Sequence, residues 1–418
     1  MGPRTVGILY QPLGHPSPTN LYRGHLARMV GAVHTMGMQA IVMVPPQTPD
    51  AALPQAGETV VALSTPFTQT AAVVEAVGTA HRRHGFHYLF PFQECTVSVG
   101  AYSCETHDIP GVRPSIAQRF RDKWVMAQAV KALGIVAPRT VLVRTSAEAE
   151  AFANTHGWPI ILKPRDAAGA EGVIKMDSAE QLATAWEAIA VPRGVIAQEF
   201  IAGDEYHVDS IVRSGQILFA VASRYFRPLL HFHEHPPGSV TRLHQRTPGE
   251  EAMLVANAAV LSGLGLIDGI AHVEFFLRND RPVFGEAAAR VGGGHAVPTV
   301  EAATGVHLAE AWARAVLDPT YQIVPSINGH EVGGQLLPAA ADGVIEAVVS
   351  PETLTGGSSQ LQDATFWYRV GDHLHAATRS TRMFGYLLGS GPTAAEVTTL
   401  LQEALARFWV RTRRETVA

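Results

Sequence analysis

The chain has little cysteine, no block of one charge and no long apolar run. Only Cys95 and Cys104 occur among 418 residues, so a disulfide-stapled secreted scaffold is excluded and a reduced, cytoplasmic protein is expected. No apolar stretch approaches the roughly eighteen residues that span a membrane. The opening residues, Met1 to Thr5, run directly into a strand pattern, so neither a secretory leader nor a membrane anchor is expected. The formal charge of −5 is spread along the chain without a basic block, which argues against nucleic acid as a partner. Two phosphate-binding signatures are also missing. No GxGxxG follows the first strand pattern and no GxxxxGK[ST] occurs anywhere, so a nucleotide site would need another construction.

What is present fits a folded protein of two or three domains: 44.8 kDa, 47% hydrophobic and 17% charged. Strand patterns at residues 6–10, 40–44 and 88–91 alternate with helical periodicity at 21–37 and 67–84. That rhythm predicts an open parallel α/β sheet in a first domain, residues 1–114. A second unit, 115–192, opens with a helix carrying Arg121, Asp122 and Lys123 and ending at Gly134. It continues through strands at 159–164 and 172–176 and helices starting near Ser146 and Ser178. The rest, 193–418, is expected to be rich in strands from Gly203 to Phe284, then helical over 297–317. A terminal subdomain from about residue 328 closes with an amphipathic helix at 393–408.

Two glutamates are the most informative residues. Glu274 and Glu286 each close a short apolar strand pattern, and the link Arg278-Asn279-Asp280-Arg281-Pro282 is polar and turn-forming. A hairpin would carry both carboxylates to neighbouring strands, close enough to share a hard cation. Like charges held together in an apolar setting are costly unless a metal or protons neutralise them. Arg290 follows four residues after Glu286, and Gly292-Gly293-Gly294 comes next. Carboxylates, a fixed cation and permissive backbone suit phosphoryl chemistry. The competing reading is two solvated strand-edge acids with Arg290 as an ion partner.

Further upstream, Lys163-Pro164 ends an apolar strand and precedes the small-residue loop Ala167-Ala168-Gly169-Ala170-Glu171-Gly172. Its backbone N–H groups could approach phosphate oxygens while Lys163 supplies a point charge. An ordinary hairpin loop is the plainer alternative. In Gln198-Glu199-Phe200-Ile201-Ala202-Gly203-Asp204-Glu205 a strand runs into a hinge. Backbone groups there could meet a purine edge between the apolar walls of Phe200 and Ile201. Glu205 lies where a carboxylate could accept both hydroxyls of a ribose; the alternative is a surface turn with solvated acids.

In this order and at these spacings the residues resemble the ATP-grasp enzymes, and within them the carboxylate–amine ligase branch that includes bacterial L-amino acid (dipeptide) ligases. The elements that carry the resemblance are Arg121-Asp122-Lys123, Ile161-Leu162-Lys163-Pro164, the Gly/Ala loop, Gln198 to Glu205, Glu274, and Glu286 to Arg290. They cover roughly residues 115–300. Gly333-Gly334-Gln335-Leu336-Leu337-Pro338 is similar to the terminal subdomain of the same branch.

The resemblance implies an ATP-grasp fold behind a Rossmann-like first domain, with ATP and magnesium (two ions, or manganese in their place) as cofactors. Small-molecule carboxylate and amine substrates and a homodimeric assembly belong to the same implication. Lys123 and Lys163 would contact phosphates, and the loop with Ala168, Gly169 and Gly172 would close over them. Gln198, Glu199, Phe200 and Ile201 would form the adenine hinge and Glu205 would hold the ribose. Glu274 and Glu286 would bind the metal, with Glu286 and Arg290 catalytic. The expected reaction activates an amino acid carboxylate as an acyl phosphate and joins it to an amine. Two positions depart from the common pattern. Many relatives have Glu where Gln198 stands, and many place an Asn ligand where this chain has Ala288. The second departure leaves the metal shell to two glutamates, phosphate oxygens and water.

Substrate-facing candidates are Arg224, Arg227, His233, His235, Gly293, Gly294 and His295, together with loops at 11–20 and 92–95. The alternation His231-Phe232-His233-Glu234-His235 would put three imidazoles on one strand face, as a zinc site requires. The following Pro236-Pro237-Gly238 predicts a loop against the substrate pocket instead. Other readings are an ATP-grasp carboxylase or non-peptide amide ligase, and an inactive ATP-binding regulator. Retention of Glu274, Glu286 and Arg290 together argues against the regulator.

Overall fold

The computed structural model describes residues 4–12, 21–49, 53, 59–189, 194–232, 234–244, 246–327, 329–339, 341–375 and 383–413. The first strands are parallel, as the β-α-β rhythm predicts. Thr59–Ala62, Gln39–Val44, Thr5–Leu9 and Phe86–Pro91 lie side by side in that order. Thr59–Ala62 is too short and too exposed to stand out in the sequence. The strands Thr5–Leu9 and Gln39–Val44 are almost wholly buried because helices cover both faces, which explains their unbroken apolar runs. This sheet shares a core with the helix Leu308–Leu317, where Phe90 meets Trp312 edge to face at 5.1 Å.

A four-stranded antiparallel sheet, Thr140–Val143, Val195–Glu199, Ile160–Pro164 and Ile174–Met176 in that order, forms a second layer backed by the helices Ser146–His156 and Ala179–Ile189. Its strand Val195–Glu199 runs past residue 192, so this sheet ends at the predicted hinge. The helix Ser146–His156 is capped by Thr145, one residue before the predicted cap, with Oγ1 accepting from Glu148 N at 3.2 Å.

The third layer is an eight-stranded antiparallel sheet. Its strand order is Arg281–Ala288, Gly269–Arg278, Asp204–Arg213, Gln216–Tyr225, Gly238–Thr241, Glu331–Pro338, Met383–Gly391 and Leu361–Phe366.

Three helical expectations need correction. The helix expected from Ser115 to Gly134 is two helices, Pro114–Arg121 and Lys123–Ala132. They break at Asp122, whose extended backbone makes it the N-cap of the second, accepting from Trp124 N and Val125 N. The segment 297–317 is also two helices, Ala296–Thr304 and Leu308–Leu317, divided where Gly305 turns left-handed at φ 70°. Within the strand-rich stretch lies an unforeseen helix, Pro248–Leu264, with a capping box between Thr247 and Glu250 and a proline at its start. No helix among the described residues is long and apolar enough to cross a membrane.

Candidate active site

Glu274 and Glu286 are cross-strand partners. The hairpin Gly269–Arg278 to Arg281–Ala288 turns through Asn279 and Asp280, both left-handed at φ 51° and 57°, the geometry of a two-residue turn suited to twisted strands. Register places Glu274 opposite Glu286, with a bulge immediately after Glu274. Both side chains remain partly accessible, at 23% and 28%, and both line one cavity of about 360 Å³ enclosed by the two antiparallel sheets and the helix after Gly294.

Cations meet these carboxylates from the opposite wall. Lys123, held at the first turn of its helix by the Asp122 cap and by its own N–H to Arg165 O, places Nζ 2.9 Å from Glu286 Oε1 and donates to Ala167 O at 2.5 Å. An ion pair between Arg165 and Asp122 fixes that cap to the start of the small-residue loop. Lys163 projects from the strand Ile160–Pro164. Burial pushes its ammonium pKa down, Glu286 and Glu274 pull it back up, and neighbouring Lys123 lowers it. Glu205 accepts from Leu229 N at 2.7 Å. Burial, reinforced by the nearby Glu274 charge, pushes its carboxyl up to about 8.

Arg290 is oriented by Glu94. Its Nε donates to Glu94 Oε2 at 2.7 Å and its Nη1 to Val291 O at 2.8 Å. Glu94 opens the helix Glu94–Thr106 and also pairs with Arg121. Burial alone would raise its carboxyl, yet the guanidinium groups of Arg290 and Arg121 hold it at about 2. Sequence reasoning flagged residues 92–95 as a substrate-facing loop but did not foresee Glu94 as the clamp on Arg290.

Sequence reasoning also missed a buried polar chain behind the glutamates. His207 and Asp209 alternate on one strand, His272 and Glu274 on the next, and register pairs Asp209 with His272 and His207 with Glu274. Asp209 therefore receives His272 Nδ1 at 2.9 Å on one oxygen and His207 Nδ1 at 2.8 Å on the other. His207 Nε2 lies 3.2 Å from Ser239 Oγ, and that hydroxyl lies 2.8 Å from His295 Nε2. His272 Nε2 stands 3.7 Å from Glu274 Oε1. Burial opposes ionisation of Asp209, but the two imidazoles hold its carboxyl well below the usual range. Burial likewise opposes charge on His272, yet Asp209 raises it to about 9. The donors of His207, Asp209 and His272 lie close enough to hold a metal ion. Each imidazole already bonds a separate oxygen of Asp209, so the hydrogen-bonded chain accounts for them without one. The available signal was the spacing H-x-D and H-x-E on apolar strands.

Lys123, Lys163, Ala168, Gly169, Gln198, Glu199, Phe200, Ile201, Glu205, Glu274, Glu286, Arg290, Gly293, Gly294 and His295 all line the cavity. Gln198 Nε2 donates to Thr140 Oγ1 at 3.1 Å, and Phe200 is covered by Lys175, 5.3 Å above its ring. Gly172 is exposed and left-handed at φ 68°, packed beneath Pro164 instead of lining the cavity.

Other expectations are corrected. Arg224 lies outside the cavity wall, 3.7 Å from Asp204. Arg227 and His235 face a separate recess and meet each other at 3.1 Å. The histidine segment is no strand. Leu229–His231 is a 3-10 turn and His235 N bonds His231 O, so His231 and His235 do not share a strand face. His233 and residues 13–20 of the expected loop at 11–20 lie outside the described residues.

Residues 120–294 match the ATP-grasp domain family. Dapdiamide A synthase of Enterobacter agglomerans is 28% identical over 51% of this chain and 52% of its own length. An L-arginine-specific L-amino acid ligase of Bacillus subtilis is 27% identical over 50% and 52%. The chain thus spans about half the length of the curated relatives it matches first. A crystal structure of L-amino acid ligase from Bacillus licheniformis superposes with a TM-score of 0.79 over 99% of this chain and 100% of that one, at 17% identity. At that identity the likeness establishes the fold.

Proposed function

For this protein of the ATP-grasp superfamily, whose ATP-grasp domain covers residues 120–294, we propose an ATP-dependent carbon–nitrogen ligase that joins an amino acid carboxylate to the amine of a second amino acid. The observation that carries this reading is the convergence of Glu274, Glu286, Lys123, Lys163 and Arg290 on one cavity whose far wall is the Gln198–Ile201 hinge. A carboxylate is a poor electrophile. Transfer of the γ-phosphoryl group of ATP converts it to an acyl phosphate, which the amine attacks to give an amide, ADP and phosphate. Lys123 and Lys163 hold the phosphates, the small-residue loop covers them, and the hinge with Glu205 takes the adenosine.

Glu274 and Glu286 offer hard, accessible oxygen donors at adjoining strand positions, a set that fits two magnesium ions, with manganese as a substitute. Such ions, when bound, neutralise phosphate charge. Arg290, fixed by Glu94, supplies a permanent cation for the acyl phosphate and for the tetrahedral species that follows. The hydrophobic surround of the loop and hinge excludes water that would hydrolyse the activated acid. The reaction suits the cytoplasm, where ATP is supplied.

A screen of amino acid pairs for phosphate release, with mass detection of products, tests the proposal. ADP release that requires both a carboxylate and an amine, with an amide product, is the expected result. Release that depends on bicarbonate would replace it with carboxylation, and nucleotide binding without turnover would replace it with a regulatory role.

A further inference from the structure

The ligase reading requires an uncharged amine, and amino acids arrive as ammonium ions. Lys123, Lys163 and Arg290 already carry their protons, Glu286 and Glu274 face Lys123 and His272, and Glu205 is assigned to the ribose, so none of these takes that proton. We propose that His295 is the proton acceptor for the attacking amine, and that Asp209, His207 and Ser239 form a buried chain that fixes its tautomer. This inference rests on the ligase reading and adds the missing base.

Direction along the chain follows from its inner end. Asp209 is ionised and can only accept, so His207 Nδ1–H donates to it at 2.8 Å. His207 Nε2 then accepts from the Ser239 hydroxyl at 3.2 Å, and the hydroxyl oxygen accepts from His295 Nε2–H at 2.8 Å. This order leaves a lone pair on His295 Nδ1. That nitrogen is buried and has no hydrogen-bond partner among the described residues, in a side chain only 3% exposed that lines the cavity beside Gly293 and Gly294. Orphaned buried imidazole nitrogens are costly, and a ligand is one way to satisfy them.

The room for the ring is itself specific. Its Cδ2 edge lies over Gly334, where any Cβ would stand 2.7 Å away, so the strand opposite must carry glycine there. Register on that strand holds Gly334 opposite Ser239, which brings ring, hydroxyl and gap together. His295 also precedes the helix Ala296–Thr304, and its carbonyl is tied to Thr299 N at 3.0 Å, which fixes the backbone.

In the step itself an N–H bond of the ammonium breaks and Nδ1–H forms on His295. The amine electron pair then makes the C–N bond. The C–O bond to phosphate breaks with its electrons on the departing phosphate, which takes the proton from the imidazolium. The freed Nδ1 then accepts the second N–H proton, made acidic by the new C–N bond, and gives it up to water as the neutral amide leaves. Burial, with the neighbouring His207 and His272 imidazoles, holds His295 down at about 3 against the pull of Asp209, so the ring is neutral before substrates bind. The phosphate charges of the activated complex supply the counter-charge for the transient imidazolium; Arg290, Glu274, Glu205 and Tyr225 line the same cavity, and Tyr22 bonds the Gly294 backbone beside the ring.

The test separates activation from amine attack. Hydroxylamine is uncharged at neutral pH and captures acyl phosphates without a base, so hydroxamate formation reports activation alone. For His295→Asn and Ser239→Ala, amide formation with an amino acid acceptor at pH 7 is expected to fall on the order of a hundredfold or more for the first and about tenfold for the second. Hydroxamate formation is expected to stay within about twofold of the parent, and raising the pH toward 9.5 is expected to restore most of the His295→Asn loss. Equal losses in both assays, or none in amide formation, would overturn the role of His295. Absence of hydroxamate from the parent protein with every carboxylate tried would instead remove the ligase reading. Circular dichroism and melting curves identify a variant that fails to fold, and the second variant then carries the test.

Discussion

Arg290 and Glu94 are 196 residues apart in sequence and joined by a 2.7 Å hydrogen bond. Through it the helix Glu94–Thr106 controls the one guanidinium that lines the cavity among the described residues. The carboxylate bridges Arg121 as well, so a single acid from the helix Glu94–Thr106 ties the end of the helix Pro114–Arg121 to Arg290, just past the strand Arg281–Ala288.

Glu94→Gln should therefore damage both stability and chemistry. It leaves two largely buried guanidinium groups without a counter-charge, a change that costs about 3 kcal/mol. Turnover should fall by about tenfold to a hundredfold as Arg290 loses its orientation. The pH dependence has a definite sign. Glu94 sits at about 2 in the folded protein against an ordinary 4.5, so its stabilisation is complete above pH 4.5 and lost as pH falls toward 2. Urea midpoints at pH 7 and pH 3.5 check this: the gap between parent and variant should narrow at the lower pH.

Glu286→Ala and Arg290→Ala should abolish turnover while leaving the fold intact, because both side chains sit in the cavity wall and not in the core. Glu286→Ala also removes the 2.9 Å partner of Lys123. Glu274→Gln should retain the hairpin but raise the magnesium concentration needed for half-maximal rate by about tenfold or more, since one hard ligand becomes a neutral amide. A magnesium titration of ADP release against circular dichroism of each variant distinguishes loss of site from loss of fold. Near-normal activity in Glu286→Ala or Arg290→Ala would remove their assigned roles.

The glutamate hairpin was legible because short apolar runs and a polar turn are local signals, and local signals also pointed to the parallel sheet. The break at Asp122 was less visible. A good helix pattern ran through it, and only the competition of its carboxylate for Trp124 N and Val125 N divides the helix. The Asp209 chain was illegible for a different reason. His207, Asp209 and His272 look like isolated polar residues until register sets one strand against the next, and register is a long-range property. Glu94 was hidden in the same way, since its partner lies 196 residues away in sequence. Arg224, Arg227 and His235 looked suitable by residue type alone, and the backbone turns them elsewhere.

Gly172 tests the loop without touching the cavity lining. Its φ of 68° disfavours any side chain, and a Cβ there would stand 2.8 Å from Pro164 Cγ. Gly172→Val should strain the loop by roughly 1–2 kcal/mol. On the proposed function the Michaelis constant for ATP rises by about three- to tenfold, the upper figure being what about 1.4 kcal/mol of weaker nucleotide binding gives. The melting temperature moves little, because Gly172 is exposed and outside every core. Steady-state kinetics at varied ATP reads the first effect and calorimetry the second.

Stability between pH 7.5 and 4.5 should depend on a pair far from the cavity. His25, on the helix Leu21–Thr35, places Nδ1 3.1 Å from Nε2 of His307, which caps the helix Leu308–Leu317 by accepting from Glu310 N at 3.3 Å. Because His307 Nδ1 accepts, its Nε2–H must donate to His25, and both rings are neutral. Burial, with Arg28 nearby, lowers His307 to about 4; burial, with His307 and Arg28 beside it, takes His25 well below 6.5. The unfolded chain binds protons that the folded one refuses, so stability is full above about pH 6.5 and falls as pH drops toward 4. His307 alone accounts for about 3 kcal/mol across that window. Chemical denaturation at intervals of half a pH unit should show the decline. His25→Phe removes one titrating ring and should flatten the curve, even where it lowers stability at pH 7.5. An unchanged slope in that variant would assign the acid sensitivity elsewhere.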